Sequence, residues 1–176
     1  MNVIIISSSP RKAGNSDLLC DEFMHGAQEA GHLVEKIYLK DKAINYCTGC
    51  GACFNTHKCL QKDDMGEILD KLVATDVIVF ASPIYFYTVC GQLKTMIDRC
   101  CARYTELTDK QFYYIFTAAD TNGSAIEKAV VEMQGFLDCL DNPKRRGVIA
   151  GVGAWNKGEI KSKPVMQDAY LMGKSI

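Results

Sequence analysis

Nine cysteines stand out in a chain of 176 residues, and four of them, Cys47, Cys50, Cys53 and Cys59, share one short segment. Three thiols at consecutive x2 spacing are typical of a cubane iron-sulfur cluster, whereas structural zinc sites usually pair two separated C-x-x-C knuckles. Gly49 and Gly51 give this segment the freedom a tight ligand loop needs. Zinc, or thiols that bind no metal, remain open on spacing alone. A second chemical segment is Ser7-Ser8-Ser9-Pro10-Arg11-Lys12-Ala13-Gly14-Asn15-Ser16. It combines hydroxyl donors, a guanidinium and the start of a helix, three resources for an anion. With Gly14 its only glycine, it fits neither G-x-G-x-x-G nor G-x-x-x-x-G-K-[ST], and it suits a terminal phosphate monoester better than a pyrophosphate. The same residues would also serve an ordinary serine-rich turn and helix cap. A third segment, Ser82-Pro83-Ile84-Tyr85-Phe86-Tyr87, brings aromatics and backbone that could line a slot for a flat ring or simply pack in the core.

The elements that must position these segments follow from periodicity. Val3–Ser7, Leu33–Leu39, Val77–Ala81, Phe112–Thr117 and Val148–Val152 read as strands, several of them β-branched runs suited to burial on both faces of a parallel sheet. Between them lie helical patterns. The first is capped at Asn15, carries the stripe Leu19, Phe23, Ala27 and Ala30, and stops at Gly31. Others run from the Asp64/Glu67 pair to about Val73, along Leu93, Ile97, Cys100 and Tyr104, from a Ser124/Glu127 capping box to about Leu140, and weakly over residues 165–174. Strands alternating with helices, with no repeat or linker, predict one α/β doubly wound domain over residues 1–176, with a cysteine-rich loop at 45–62. Ligands of such sheets lie beyond the carboxyl ends of the strands, where strand order reverses. The anion loop and the aromatic loop both fall there.

Composition narrows the classes. A hydrophobic content of 48%, 23% charged residues and four prolines exclude a disordered or low-complexity chain. Twenty basic against twenty-one acidic residues, a net charge of −1 without like-charge blocks, argue against capture of nucleic acid or an anionic membrane. With no signal-peptide pattern and no long apolar run, a cytoplasmic location is expected, where thiols stay reduced. Cys20, Cys90, Cys100, Cys101 and Cys139 are expected as small buried hydrophobes. His57 is expected as an exposed loop residue, and Trp155 near the ring site, at a subunit contact or simply packed.

Taken together, the two loops resemble the NAD(P)H-dependent FMN reductases of the flavodoxin-like superfamily. That resemblance implies a five-stranded parallel sheet of order 2-1-3-4-5. It implies an FMN phosphate held by Ser9, Arg11, Asn15 and Ser16, and an isoalloxazine supported by Pro83, Ile84, Tyr85 and Phe86. The loop after the fourth strand, with Ala119 and Asp120, would close the other side of the flavin. The cysteine spacing, and its place after the second strand, resemble the iron-sulfur flavoproteins of the same superfamily, which implies one 4Fe-4S cluster on Cys47, Cys50, Cys53 and Cys59. The expected activity moves electrons from NAD(P)H or a ferredoxin-like donor to a quinone, flavin or oxygen acceptor. No side chain is required as an acid or base. A homodimer or homotetramer is expected. The rival expectations are an electron carrier that keeps FMN without turnover and a redox-sensing protein that uses the cysteine loop.

Overall fold

The computed structural model describes residues 1–176. Five parallel strands form the sheet: β1 (Asn2–Ser7), β2 (Leu33–Tyr38), β3 (Val77–Tyr85), β5 (Gln111–Thr117) and β6 (Lys144–Gly151), in the order β2-β1-β3-β5-β6. The short β4 (Thr88–Val89) adds a sixth strand, antiparallel to the end of β3. The expected parallel order is therefore present, and the strand count of five is corrected to six. Helices α1 (Asn15–Glu29) and α6 (Val165–Lys174) cover one face. The other carries α3 (Met65–Ala74), α4 (Gly91–Arg99) and α5 (Ser124–Leu137), with a single turn, α2 (Cys53–Thr56), inside the cysteine loop. No helix is long and apolar enough to cross a membrane.

The two-residue period of a strand explains the double core. Val3 and Ile5 of β1 pack with Leu19, Phe23 and Ala169 on the α1/α6 face. Ile4 and Ile6 pack with Ile68, Leu72, Leu93 and Met96 on the opposite face. Strands buried on both sides must be apolar at every position, which is why these runs were visible in the sequence. The edge strand β6 instead begins with exposed Lys144, Arg145 and Arg146, four residues earlier than expected, charges that discourage pairing with another chain.

Several expected boundaries shift. The strand β3 continues four residues past Ala81, because Ser82 and Pro83 still pair with Phe116 and Thr117 of β5 and Ile84 pairs with Val89 of β4. Its hairpin turns at Phe86 and Tyr87, both with positive φ (50° and 68°), a conformation usually reserved for Gly or Asn. Helix α4 ends at Arg99, and Tyr104 lies in a separate 3₁₀ turn. Gly123 rather than Ser124 occupies the N-cap of α5, and no side-chain cap bond forms there. Cys101 is half-buried and Cys139 exposed, so only Cys20, Cys90 and Cys100 are the buried thiols that were expected. Burial pushes the Cys100 thiol up to about 12 and raises Cys20 further, which makes both inert.

Helices α1 and α6 cross with their backbones in contact. A Cβ at Gly26 would meet the Tyr170 carbonyl oxygen at 2.0 Å, and one at Gly173 would meet that of Phe23 at 2.0 Å. Gly173→Ala must push the helices apart, at an expected cost of about 2–3 kcal/mol from overpacking. Urea unfolding followed by circular dichroism measures this. An unchanged midpoint would show that the crossing has slack.

Candidate functional site

Strands β1 and β3 end side by side, with Ser7 paired to Ala81. The chain that leaves β1 is then pinned to β3: the Ser8 N–H and hydroxyl both donate to the Ala81 carbonyl, at 3.0 and 2.6 Å. The Cys90 thiol, at the N-cap of α4, donates to Ser8 Oγ (3.1 Å), and the Cys90 N–H donates to Ser82 Oγ (2.9 Å). One continuous set of hydrogen bonds thus joins the loops after β1 and β3.

Between them lies a cleft of about 170 Å³. Ser9, Arg11, Asn15 and Ser16 line its β1 side, Pro83, Ile84 and Tyr85 its β3 side, and Ala119 the side of β5. Eight of the ten residues expected to hold a flavin therefore meet in one place. Phe86 stands outside at the hairpin tip, 98% exposed. Asp120 also lies outside the lining; its carboxylate accepts from the Asn122 N–H (3.0 Å) and its carbonyl from the Gly153 N–H (3.0 Å). Gly14, Thr117 and Ala154, which were not assigned to it from sequence, complete the lining together with Trp155, for which a place near the ring site was one of three expectations. Trp155 is 75% exposed at the mouth, and Arg11 Nη1 is 3.5 Å from its carbonyl oxygen. Larger cavities exist, including one of about 450 Å³ beside Asn2, Val3 and Leu33, but these residues belong to the amino ends of β1 and β2, where doubly wound sheets do not bind ligands.

The first turn of α1 is built for an anion without its expected cap. Gly14, not Asn15, takes the N-cap position, because a Cβ there would lie 2.9 Å from the Arg11 carbonyl oxygen and 3.0 Å from Ser9 Oγ. The Asn15 amide is turned away to fasten the segment after β6. Its Nδ2 donates to the carbonyls of Ala154 (3.1 Å) and Asn156 (2.9 Å), and its Oδ1 accepts from Gly158 N–H (2.9 Å). Asn15 and Ser16 both line the cleft and are the first two residues of the helix, where backbone N–H groups have no acceptor within the helix. Beneath the loop, the buried Asp17 carboxylate accepts from Ala13 N–H (2.8 Å) and Ser7 Oγ (3.3 Å). That bond holds Ala13 at φ 53°. Lys36 from β2 neutralises this carboxylate (3.1 Å). Burial alone would lower the Lys36 pKa, but its bonds to Asp21, Tyr38 and Asp17 carry it above the ordinary value. The loop therefore keeps its shape without presenting a bare negative charge to an incoming phosphate.

The cysteine loop leaves the carboxyl end of β2, the neighbour of β1, and its neck is closed by paired contacts. Ala43 N–H donates to Asp64 (2.7 Å), Asp64 N–H to the Ala43 carbonyl (3.0 Å), and Asn45 N–H to Asp63 (3.0 Å). Arg99 forks onto Asp63 (2.7 and 2.9 Å) and reaches the Asn45 carbonyl (2.7 Å). The Arg99 guanidinium holds the Asp63 carboxyl down at about 2. Within the loop, Gly49 and Gly51 have φ of 66° and 72°, and Gly49 N–H donates to Cys47 Sγ (3.5 Å). Cys47 and Cys50 are exposed, and Cys53 and Cys59 half-buried. Cys101 stands beside Cys53 and near Cys47, and burial together with these thiols raises its pKa. No three His, Cys, Asp or Glu side chains are gathered as a metal-holding group. The donor chemistry nevertheless fits an iron-sulfur cluster: four free thiols share one loop and a backbone N–H donates to sulfur.

The parallel order and the cleft where strand order reverses, at the amino end of α1, define a flavodoxin-like fold. A family model for NADPH-dependent FMN reductase matches residues 1–165, and the chain belongs to that family. An iron-sulfur flavoprotein of Archaeoglobus fulgidus is 37% identical over 191 aligned residues, covering 100% of this chain and 94% of that protein. A second from the same organism is 41% identical over 99 residues, 56% of this chain, and one from Methanocaldococcus jannaschii is 46% identical over 99 residues, also 56% of this chain. These matches span about half of the latter two proteins, 45% and 51%. In three dimensions the chain is similar to an NAD(P)H:quinone oxidoreductase from Methanothermobacter marburgensis, with a TM-score of 0.75 at 17% identity over 99% of this chain and 96% of that one. It is also similar to an FMN-dependent NADH-azoreductase from Bacillus anthracis, with a TM-score of 0.70 at 14% identity over 99% and 97%.

A phosphate seated on the β1 loop has a direct test. Arg11→Ala is expected to weaken FMN binding to the apoprotein by about 1.5–3 kcal/mol, the range for a charged hydrogen bond, and to leave riboflavin binding unchanged. Asp17→Asn, which loosens the same loop from below, should weaken FMN more than riboflavin as well. Flavin-fluorescence titration measures both. Equal losses for the two ligands would place the phosphate elsewhere.

Proposed function

We propose that this chain is an FMN-dependent oxidoreductase that accepts electrons from NAD(P)H, or from a reduced ferredoxin-like protein, and delivers them to a quinone, flavin or oxygen acceptor. The meeting of the β1 loop and the Pro83–Tyr85 segment in one cleft carries this reading. FMN, when bound, supplies the hydride and single-electron chemistry. The backbone N–H groups of Asn15 and Ser16, the Ser9 hydroxyl and Arg11 would hold its phosphate. Backbone at Pro83, Ile84 and Ala119, with the Tyr85 ring, would flank the isoalloxazine and exclude water from one side of it. No residue of the cleft is assigned as a catalytic acid or base.

Complete small-molecule sites usually enclose roughly 300–1,000 Å³. The smaller cleft here holds part of a ligand of this size and leaves the rest at a mouth ringed by exposed Tyr85, Phe86, Tyr87 and Trp155. A second copy of the chain, in a homodimer or homotetramer, would cover that mouth.

The cysteine loop is read as the seat of a 4Fe-4S cluster on Cys47, Cys50, Cys53 and Cys59, drawn together by closure of the loop above its clamped neck. Support comes from the ligand spacing, the two positive-φ glycines and the name shared by the relatives. Cys50→Ser is expected to abolish iron and acid-labile sulfide in anaerobically purified protein and to retain FMN. Iron-free wild-type protein would remove the cluster from the proposal.

Anaerobic mixing of the FMN-loaded protein with NADPH or NADH should bleach the flavin absorbance within seconds to minutes. Failure with both nucleotides, together with reduction by a ferredoxin-like protein, would assign the chain to electron carriage instead.

A further inference from the structure

Trp155 is the only tryptophan of the chain, and its indole belongs to neither core; it stands exposed at the mouth of the cleft. A large aromatic surface left in water is unfavourable unless something covers it. The backbone beneath this ring is the opposite of a loose loop. Ala154 N–H donates to the Ala118 carbonyl (3.1 Å), and the N–H groups of Trp155 and Asn156 both donate to Glu159 Oε2 (2.7 and 2.8 Å). The Ala154 and Asn156 carbonyls accept from Asn15 Nδ2 (3.1 and 2.9 Å), and the Trp155 carbonyl from Arg11 Nη1 (3.5 Å). Every backbone donor and acceptor from Ala154 to Asn156 is therefore held by the protein, in a surface loop where water ordinarily serves. A ring with few torsions on a fixed backbone offers contact area at little cost in entropy.

The surroundings specify what would stack on it. NAD(P)H is a dinucleotide whose nicotinamide must reach the flavin, and a cleft of about 170 Å³ leaves the adenosine half outside, on the rim. That half joins a flat base to a negatively charged pyrophosphate. The rim has two aromatic sides. On the hairpin side the Tyr87 ring already carries Lys128, 4.2 Å from its centre. On the other side the indole is uncovered, and free cations adjoin it. Lys12 follows Arg11 and Lys157 lies two residues after the indole, both exposed and both outside every ion pair of the molecule.

We propose that Trp155 stacks on the adenine of NAD(P)H and so binds the electron donor by the half that does not react. The inference rests on the reading of the chain as an FMN-dependent oxidoreductase. Stacking far from the reacting ring is equally strong before and during reaction, so it sets the affinity for the donor and leaves the limiting rate of flavin reduction alone. Asn15 and Glu159 act through Trp155: by fixing its backbone they hold the indole at the mouth.

The test uses the full chain loaded with FMN, as wild type, Trp155→Phe and Trp155→Ala. Because the chain has a single tryptophan, its fluorescence reports on this ring alone. ADP, which cannot reduce the flavin, should quench it saturably in wild type, and nicotinamide mononucleotide should not. Anaerobic rapid mixing then gives dissociation constants for NADPH, NADH and reduced nicotinamide mononucleotide, which carries no adenine. In Trp155→Ala the preference for the better dinucleotide over the mononucleotide should fall about tenfold, within the range for a base stacked on an aromatic side chain, and Trp155→Phe should keep most of it. An unchanged preference would overturn the proposal. So would equal losses with and without adenine, the result of a disturbed cleft or subunit contact. Should Trp155→Ala fail to hold FMN, the ADP titration of wild type decides: saturable quenching supports the stack, and its absence overturns it. Wild type reduced by none of the three nucleotides would refute the donor reading itself, a result distinct from reduction indifferent to Trp155.

Discussion

The double hydrogen bond from Ser8 to the Ala81 carbonyl is the constraint on which the site depends. Parallel pairing of β1 with β3 brings their ends level, but pairing stops where the strands stop. Ser8 extends it by one residue with a side-chain donor and so fixes where the anion loop begins relative to the aromatic segment. Cys90 adds a thiol to Ser8 and takes an acceptor from Ser82, which makes α4 start from the same point. A loop at the end of a sheet is ordinarily the mobile part of a fold. Here its origin is as firmly held as the strand it leaves.

That anchoring extends outward along α4. Its first cap touches the flavin-side loops and its last residue, Arg99, closes the cysteine loop. Nine helical residues span about 13 Å at 1.5 Å each, so a single rigid rod sets the separation between the two candidate redox centres. Each end of the arrangement also uses the same electrostatic device. Asp17 with Lys36, and Asp63 with Arg99, are buried carboxylate–cation pairs in which the carboxylate accepts loop N–H groups and the cation removes its net charge. Such pairs contribute little net stability compared with apolar packing. Their value here is geometric, since a carboxylate can accept from several loop atoms at once where an apolar side chain can hold none.

What was legible in the sequence follows from this division. Strands buried on both faces must be apolar at successive positions, so β1, β3 and β5 showed themselves, and the order of elements fixed which loops would meet. Local capping rules were less faithful. Asn15 is a favourable N-cap by type, yet its amide is worth more to the structure as the fastener of Ala154, Asn156 and Gly158, residues remote in sequence. Asp63, Asp17 and Lys36 were invisible for the same reason: a buried charge looks like a surface charge until its partner from another element is placed. Cys101 read as packing because nothing local links it to Cys53. The Phe86–Tyr87 turn was hidden because bulky residues are poor formers of it.

That turn also bears on how the cleft is completed. Two successive non-glycine residues in the left-handed region cost roughly 1–2 kcal/mol each. The neighbouring helix α5 offsets part of this, with Glu132 accepting the Val89 N–H (3.0 Å) and Lys128 lying 4.2 Å from the centre of the Tyr87 ring. Neither contact involves Phe86, which projects almost wholly into solvent. Backbone strain and an exposed aromatic ring are each unfavourable in an isolated chain, and here both fall on one residue beside a cleft too small to enclose its ligand. A second copy of the chain seated over that mouth would bury the ring and complete the cleft with the same surface, which is the physical case for the assembly proposed above.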